Sequence, residues 1–161
     1  TTLFRSCATP KTEQEDTTII REDSGITALK YSSPEVPASI EFCGKTIDLS
    51  RFDRHERMDR ELLAFTYMHS TSLQMLKKAN RYFPIVEPIL KENGIPYDFK
   101  YLMVIESNMN PTARSSAGAA GLWQFMQGTG RDYGLEVNNN VDERYHIEKA
   151  TRAACRYLKD A

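Results

Sequence analysis

From residue 50 onward apolar side chains recur at intervals of three, four and seven, the spacing that gathers them on one face of a helix. The first such stripe runs through Met58, Leu62, Phe65, His69, Leu73, Leu76 and Phe83 and predicts a long helix reaching about Asn80. Ser50 and Asp53 are its candidate N-caps, and Asp53 with Glu56 has capping-box spacing. His69 interrupts the stripe and reads as a hydrogen-bonded core histidine. Pro84 and Pro88 suit the first turn of a new helix, where the missing N–H is not needed, and that helix runs to Asn93. Gly94 supplies a left-handed C-terminal cap with Ile95 as its apolar partner. Upstream, Ile40, Phe42, Ile47 and Leu49 alternate with polar neighbours on either side of Gly44, which predicts a small β-hairpin.

The stretch Tyr97 to Ile105 is almost wholly apolar and lies between Pro96 and Pro111. As a helix it places Phe99, Leu102, Met103 and Glu106 on one face, with Tyr101, Val104 and Ile105 covering most of the rest. The expectation is a helix buried all round. A carboxylate at its end loses water, and desolvation favours the protonated form that a general acid needs. The competing reading of Glu106 is structural: a side chain held by an arginine or by backbone amides at a helix end. Beyond it, Ser115 to Gly121 contains only small residues, which let backbone approach backbone or ligand closely. Leu122 to Met126 reads as a short buried helix with Gln124 aimed at a partner. Gly128-Thr129-Gly130 and Gly134 read as loop, with the wrong spacing and no preceding strand for a nucleotide fingerprint. Asn138-Asn139-Asn140 is another loop. Glu143 to Lys159 is an alanine-rich helix with Ile147, Ala150, Ala154, Tyr157 and Leu158 facing inward. The fold class is mainly α with a small N-terminal β-hairpin.

Composition narrows the chemistry. A chain of 161 residues suits one domain, and a net charge of −1 gives no electrostatic reason to expect nucleic acid or an acidic membrane surface. No apolar run is long enough to span a bilayer. The three cysteines lack CxxC spacing and the three histidines lack HExxH spacing, so no metal or other cofactor is expected. Residues 1–37 are rich in Thr, Ser, Glu, Asp and Pro and read as a linker or poorly ordered arm. The start at Thr1 rather than Met is read as the loss of upstream sequence. Leu3-Phe4-Arg5-Ser6-Cys7 loosely resembles the end of a bacterial lipoprotein signal, with Cys7 as the lipidated residue. Arg5 fits that pattern poorly, so an ordinary thiol in a tail is the first reading and a lipid anchor the second.

The string Glu106-Ser107, Asn110-Pro111, Ser115 and Ala117-Gly118-Ala119-Ala120-Gly121-Leu122-Trp123-Gln124-Phe125-Met126 resembles the lytic transglycosylases with a goose-type lysozyme fold. Tyr133-Gly134-Leu135, Val141-Asp142-Glu143-Arg144 and Ala150-Thr151-Arg152-Ala153-Ala154 look like the membrane-bound lytic murein transglycosylase D branch. The resemblance covers residues 50–161 and is densest from 98 to 158. It implies a lysozyme-like helical domain over 50–161, preceded by the hairpin at 38–49. It implies Glu106 as sole catalytic acid/base and Ser115, Gln124 and Met126 as residues lining a saccharide cleft. Ser107, which follows the catalytic position, is left between a structural and a catalytic role, Trp123 reads as core rather than a sugar platform, and Arg114 and Arg144 read as salt-bridge residues. The implied partner is the peptidoglycan glycan strand, and the implied setting is the cell envelope, periplasmic and anchored to the outer membrane, with the protein a monomer. In the family the last helix leads to an Ala-Tyr-Asn segment that this chain does not reach. The chain is therefore expected to be a fragment, truncated at its C-terminus, with Glu106 more exposed than in its parent and its own activity in doubt. The rival functions are a lysozyme-type hydrolase and a noncatalytic glycan-binding module.

Overall fold

The computed structural model describes residues 33–161. Most of the 1–37 arm, and Cys7 with it, lies outside the described residues. Strand β1 (Ser39–Phe42) pairs antiparallel with β2 (Lys45–Asp48), with Ile40 opposite Ile47. The two-residue turn is Cys43-Gly44, both at positive φ (50° and 71°), the conformation whose twist matches a hairpin. The backbone N–H of Cys43 donates to Asp98 Oδ2 at 2.6 Å, which ties the hairpin tip to the segment leading into the Glu106 helix.

Helix α1 (Phe52–Tyr67) and helix α2 (His69–Glu92) correct two expectations. The expected helix to Asn80 breaks at Met68 (φ −76°, ψ 34°), and Pro84 and Pro88 sit inside α2 instead of opening a new helix. At the break, the Ser72 hydroxyl donates to the Phe65 carbonyl, and Thr71 and Ser72 N–H groups close on Met68 O. The cluster Ser70-Thr71-Ser72 carries the signal, because such side chains compete locally for backbone groups. The prolines are tolerated because both are exposed, so the carbonyls they free face water, while Tyr82, Val86, Ile89 and Leu90 stay buried along the other face. The N-cap of α1 is Arg51 and makes no side-chain cap bond; Asp53 instead receives the Arg51 guanidinium at 3.0–3.1 Å, so the expected caps do not form. The expected core stripe is largely exposed, and His69 is an exposed ring edge-on to Tyr67 rather than a core residue. At the other end of α2 the expectation holds. Gly94 (φ +67°) ends the helix, with its N–H on Lys91 O and the Ile95 N–H on Leu90 O.

A 3-10 turn at Tyr97–Tyr101 runs directly into the short α3 (Leu102–Ser107). Helix α4 (Gln127–Asp132) occupies the glycine-rich stretch read as loop, and Leu122–Met126, read as helix, is a turn with Gln124 at φ +48°. Contact with the Arg144 stem overrides propensity here. A Cβ on Gly130 would lie 3.3 Å from Arg144 Cγ, so glycine lets the stem pack on α4. The last helix, α5 (Ile147–Asp160), starts after a separate 3-10 turn at Glu143–Tyr145 and buries Ala150, Thr151, Ala153, Ala154 and Cys155. These short side chains let α5 lie close against the C-terminal half of α2. The resulting core joins α2 and α5 to Met103, Met109, Leu122, Trp123 and Phe125.

One buried charge organises the loop between α3 and α5. Arg144, 2% exposed, sends Nε and Nη2 to Asp142 at 2.8 and 2.6 Å and Nη1 to the carbonyls of Gly118 and Phe125 at 2.8 and 3.0 Å. Its own carbonyl presses on Gly121 (φ +79°), where an added Cβ would sit 1.9 Å from the oxygen. Among the expected salt bridges Arg144 therefore forms one, whereas Arg114 has no ion pair among the described residues.

Gly121→Ala forces a backbone shift on top of a disfavoured positive φ and is expected to cost about 3 kcal/mol, read as a lower urea midpoint with an unchanged slope. Asp142 is held below its ordinary value of 3.8, chiefly by the hydrogen bond from Arg144. A depressed acid contributes stability that is complete above 3.8 and is lost as pH falls through the lower folded value. Urea unfolding from about pH 6 to about pH 2 is therefore expected to show a gap between wild type and Asp142→Asn that is constant at first and narrows at the acid end.

Candidate active site

Glu106 stands on the last turn of α3, and the helix buries one side only. Met103 is fully buried, Leu102, Val104 and Ser107 are half-buried, and Ile105 is 79% exposed. The expectation of a helix buried all round thus fails. Glu106 is exposed, so its carboxylate is not stripped of water by the chain's own packing. The reason is the length of α3. Six residues end in two successive left-handed residues, Asn108 (φ 49°) and Met109 (φ 51°), and this reversal buries Met109 in place of a further helical turn. The Met109 N–H returns to Met103 O at 3.0 Å. Of the two roles left open for Ser107 the structure shows the structural one: its Oγ lies 3.0 Å from both Met103 O and Leu122 O, joining α3 to the turn that carries Gln124.

The carboxylate of Glu106 opens into a cavity of about 300 Å³. Its base is made by buried Trp123, Phe125 and Ala154, and exposed Met126 and Tyr157 stand at its edge. Gln124 and Thr129 supply neutral polar groups, and Glu106 is the acidic group on its surface. Glu106 has no side-chain hydrogen bond or ion pair among the described residues. It is therefore not the capped or arginine-bound glutamate of the structural reading. Gln124 turns its side-chain amide nitrogen onto Gly121 O (2.8 Å) and Ala113 O (3.3 Å), which leaves its Oε1 without a donor among the described residues. Trp123 is core, as expected, with its indole N–H on Thr151 Oγ1 at 3.0 Å and Thr151 in turn on Ile147 O at 2.7 Å.

Three of the four residues expected at the site, Glu106, Gln124 and Met126, thus meet around one cavity. Ser115 does not line it. Its Oγ accepts the Ala119 N–H at 3.0 Å and closes the turn that begins the small-residue run. Thr129 and Tyr157 line the cavity and were not anticipated there. The glycine spacing predicts loop at Thr129, and the inward stripe of the last helix predicts core at Tyr157, where the size of the tyrosine beside small Ala150, Ala153 and Ala154 is the one available signal against it. Tyr157 instead stands edge-on to Phe125 and Tyr133, with ring centroids 6.2 and 5.4 Å away. A wider depression of about 570 Å³ lies by Pro84, Glu87, Tyr97 and Lys100, where Lys100 and Glu87 already pair at 2.6 Å. The described residues hold no group of three or more His, Cys, Asp or Glu side chains that would bind a metal, and no described helix is long and apolar enough to cross a membrane.

Residues 84–161 match the family model described as Transglycosylase SLT domain. Over 104 residues, 65% of the chain, the sequence is 32% identical to membrane-bound lytic murein transglycosylase D of Escherichia coli strain K12, and the match covers 22% of that protein. Over 68 residues, 41% of the chain, it is 37% identical to peptidoglycan transglycosylase gp16 of Escherichia phage T7, covering 5% of that protein. A putative tributyltin chloride resistance protein of an Alteromonas strain is 23% identical over 58% of the chain, with 45% of its own length covered. The chain spans about a fifth of the length of the transglycosylase D relative. Residues 84–161, which contain Glu106 and every residue of its cavity, thus carry the match to the transglycosylase SLT domain, and the chain is similar to a lytic murein transglycosylase.

Proposed function

We propose that the chain is the catalytic part of a lytic transglycosylase that cleaves the β-1,4 bond between N-acetylmuramic acid and N-acetylglucosamine in peptidoglycan, with Glu106 as its single acid/base. The observation that carries this reading is the placement of Glu106, unpaired among the described residues, in a cavity shared with Gln124 and Met126. Glycosidases that activate water or form a glycosyl-enzyme use two carboxylates. A reaction that attacks with the substrate's own hydroxyl needs one. Glu106 gives its proton to the glycosidic oxygen as the C–O bond breaks. The muramic acid 6-hydroxyl closes on the anomeric carbon, and its proton returns to Glu106. The product is a 1,6-anhydro sugar, and no water is consumed. Intramolecular attack carries an effective concentration of about 10⁵ M or more, which compensates for a sparse site.

Glu106 is exposed, so the desolvation that favours its acid form comes from the glycan. A strand laid over Met126, Tyr157 and Leu158 removes water from the carboxyl group at the moment of binding. The free Oε1 of Gln124 accepts a sugar hydroxyl or amide N–H, and Met126 gives an apolar surface for a pyranose face. Ser115, whose hydroxyl hydrogen has no acceptor among the described residues, meets the strand beyond the cavity. In this reading the enzyme works as a monomer in the periplasm, and a lipid on Cys7 would hold it to the outer membrane.

In the full-length protein, Glu106→Gln is expected to lower glycan cleavage by about 10³-fold while leaving glycan binding intact. Equal cleavage by variant and wild type would remove Glu106 from the reaction. Mass spectrometry of digested peptidoglycan is expected to show anhydro-muropeptides. Reducing-end products would assign a hydrolase instead, and binding without any cleavage would assign a noncatalytic module.

A further inference from the structure

We infer that Arg144 is a positioning residue for the proposed reaction: without reaching the cavity, it fixes the Gln124–Met126 strip opposite Glu106. The inference rests on the reading of that cavity as the transglycosylase site. The Arg144 side chain is 1% exposed, and Arg144 is not among the residues that line the cavity. Its effect passes through backbone. The guanidinium uses four of its five N–H groups: two on the Asp142 carboxylate and two on the carbonyls of Gly118 and Phe125. Phe125 is the residue between Gln124 and Met126, and its carbonyl also accepts the Ala120 N–H at 3.0 Å. One rigid plane therefore ties Gly118, in the middle of the small-residue run, and Phe125, four residues past its end, to a single point, and the Arg144 stem rests on Gly130 of α4, beside Thr129.

The strip needs such an outside restraint. Gln124 has φ +48°, a region that a glutamine does not favour by itself. If the tie loosens, Gln124 relaxes toward ordinary backbone geometry and its Oε1 moves relative to Glu106. A lysine keeps the charge but has one nitrogen, which cannot span a carboxylate and two carbonyls in the plane of a fork. Displacement of reacting partners on the order of 1 Å costs up to about 100-fold in rate.

The test compares full-length wild type, Arg144→Lys, Asp142→Asn and Glu106→Gln on soluble, uncrosslinked peptidoglycan strands, at a temperature where far-UV circular dichroism shows each variant folded. Trp123, the single tryptophan, lies next to Gln124 and reports on the cavity by its emission. For folded Arg144→Lys the expected result is a kcat lower by about tenfold or more, a KM changed much less, and a shifted Trp123 emission. Should Arg144→Lys fail to fold, Asp142→Asn carries the test, because it keeps the arginine and its carbonyl bonds but releases the anchor of the fork; a several-fold loss of kcat is expected. A folded variant with wild-type kcat and KM overturns the positioning role, however far its melting temperature drops. If wild type cleaves no strand, or Glu106→Gln cleaves as well as wild type, the site reading falls and this inference with it. If wild type is active, Glu106→Gln is not, and folded Arg144→Lys behaves as wild type, the positioning role alone falls.

Discussion

The fork of Arg144 on Asp142 is the constraint around which the site is built. A guanidinium taken out of water is costly unless its hydrogen bonds are replaced with good geometry. Here a carboxylate takes two of them and two backbone carbonyls take two more. The Gly118 carbonyl has no other donor among the described residues, and the Phe125 carbonyl gains a second donor beside the Ala120 N–H. The charge and the loop thus solve each other's problem. The same residue needs glycine at two neighbours, Gly121 against its carbonyl and Gly130 against its stem, so the spacing of small residues and the position of the arginine are one requirement.

This hub stands apart from the main core and links it to the cavity. The packing of α2 on α5 through Ala150, Ala153 and Ala154 fixes the base of the molecule. Trp123 and Phe125 belong to that core and also form the cavity's base. Ser107 and the left-handed pair Asn108-Met109 stop α3 at the point where Glu106 faces the cavity. The acidic group is thus placed by a short, well-terminated helix on one side and a tied loop on the other. Its own surroundings stay open, as the proposed function requires of a site that takes a glycan strand from the side.

Much of this was legible residue by residue. The Cys43-Gly44 hairpin, the Gly94 cap, the alanine face of α5 and the core role of Trp123 follow from local rules of turn chemistry, capping and side-chain size. Glu106, Gln124 and Met126 were recognisable as a group from their string of neighbours. The errors were also local. Pro84 and Pro88 looked like a helix start because propensity cannot see that both face water. The stretch around Gly130 looked like loop because propensity cannot see an arginine stem packing on that glycine. The apolar stretch before Glu106 looked buried all round because apolar content says nothing of where a helix stops.

The sequence by itself determined the elements whose causes lie within a few residues, and it determined the chemistry on offer: one acidic group among apolar and small residues. Tertiary structure alone decided the exposure of Glu106, the left-handed backbone of Gln124 and the burial of Arg144. The physical reason is that each of these depends on partners far away in the chain. The partners of Arg144 include Gly118 and Phe125, 26 and 19 residues distant, and the Glu106 cavity takes its edge from Tyr157 on the last helix. Such long-range contacts form only when the chain has closed on itself, so no window of neighbours carries them.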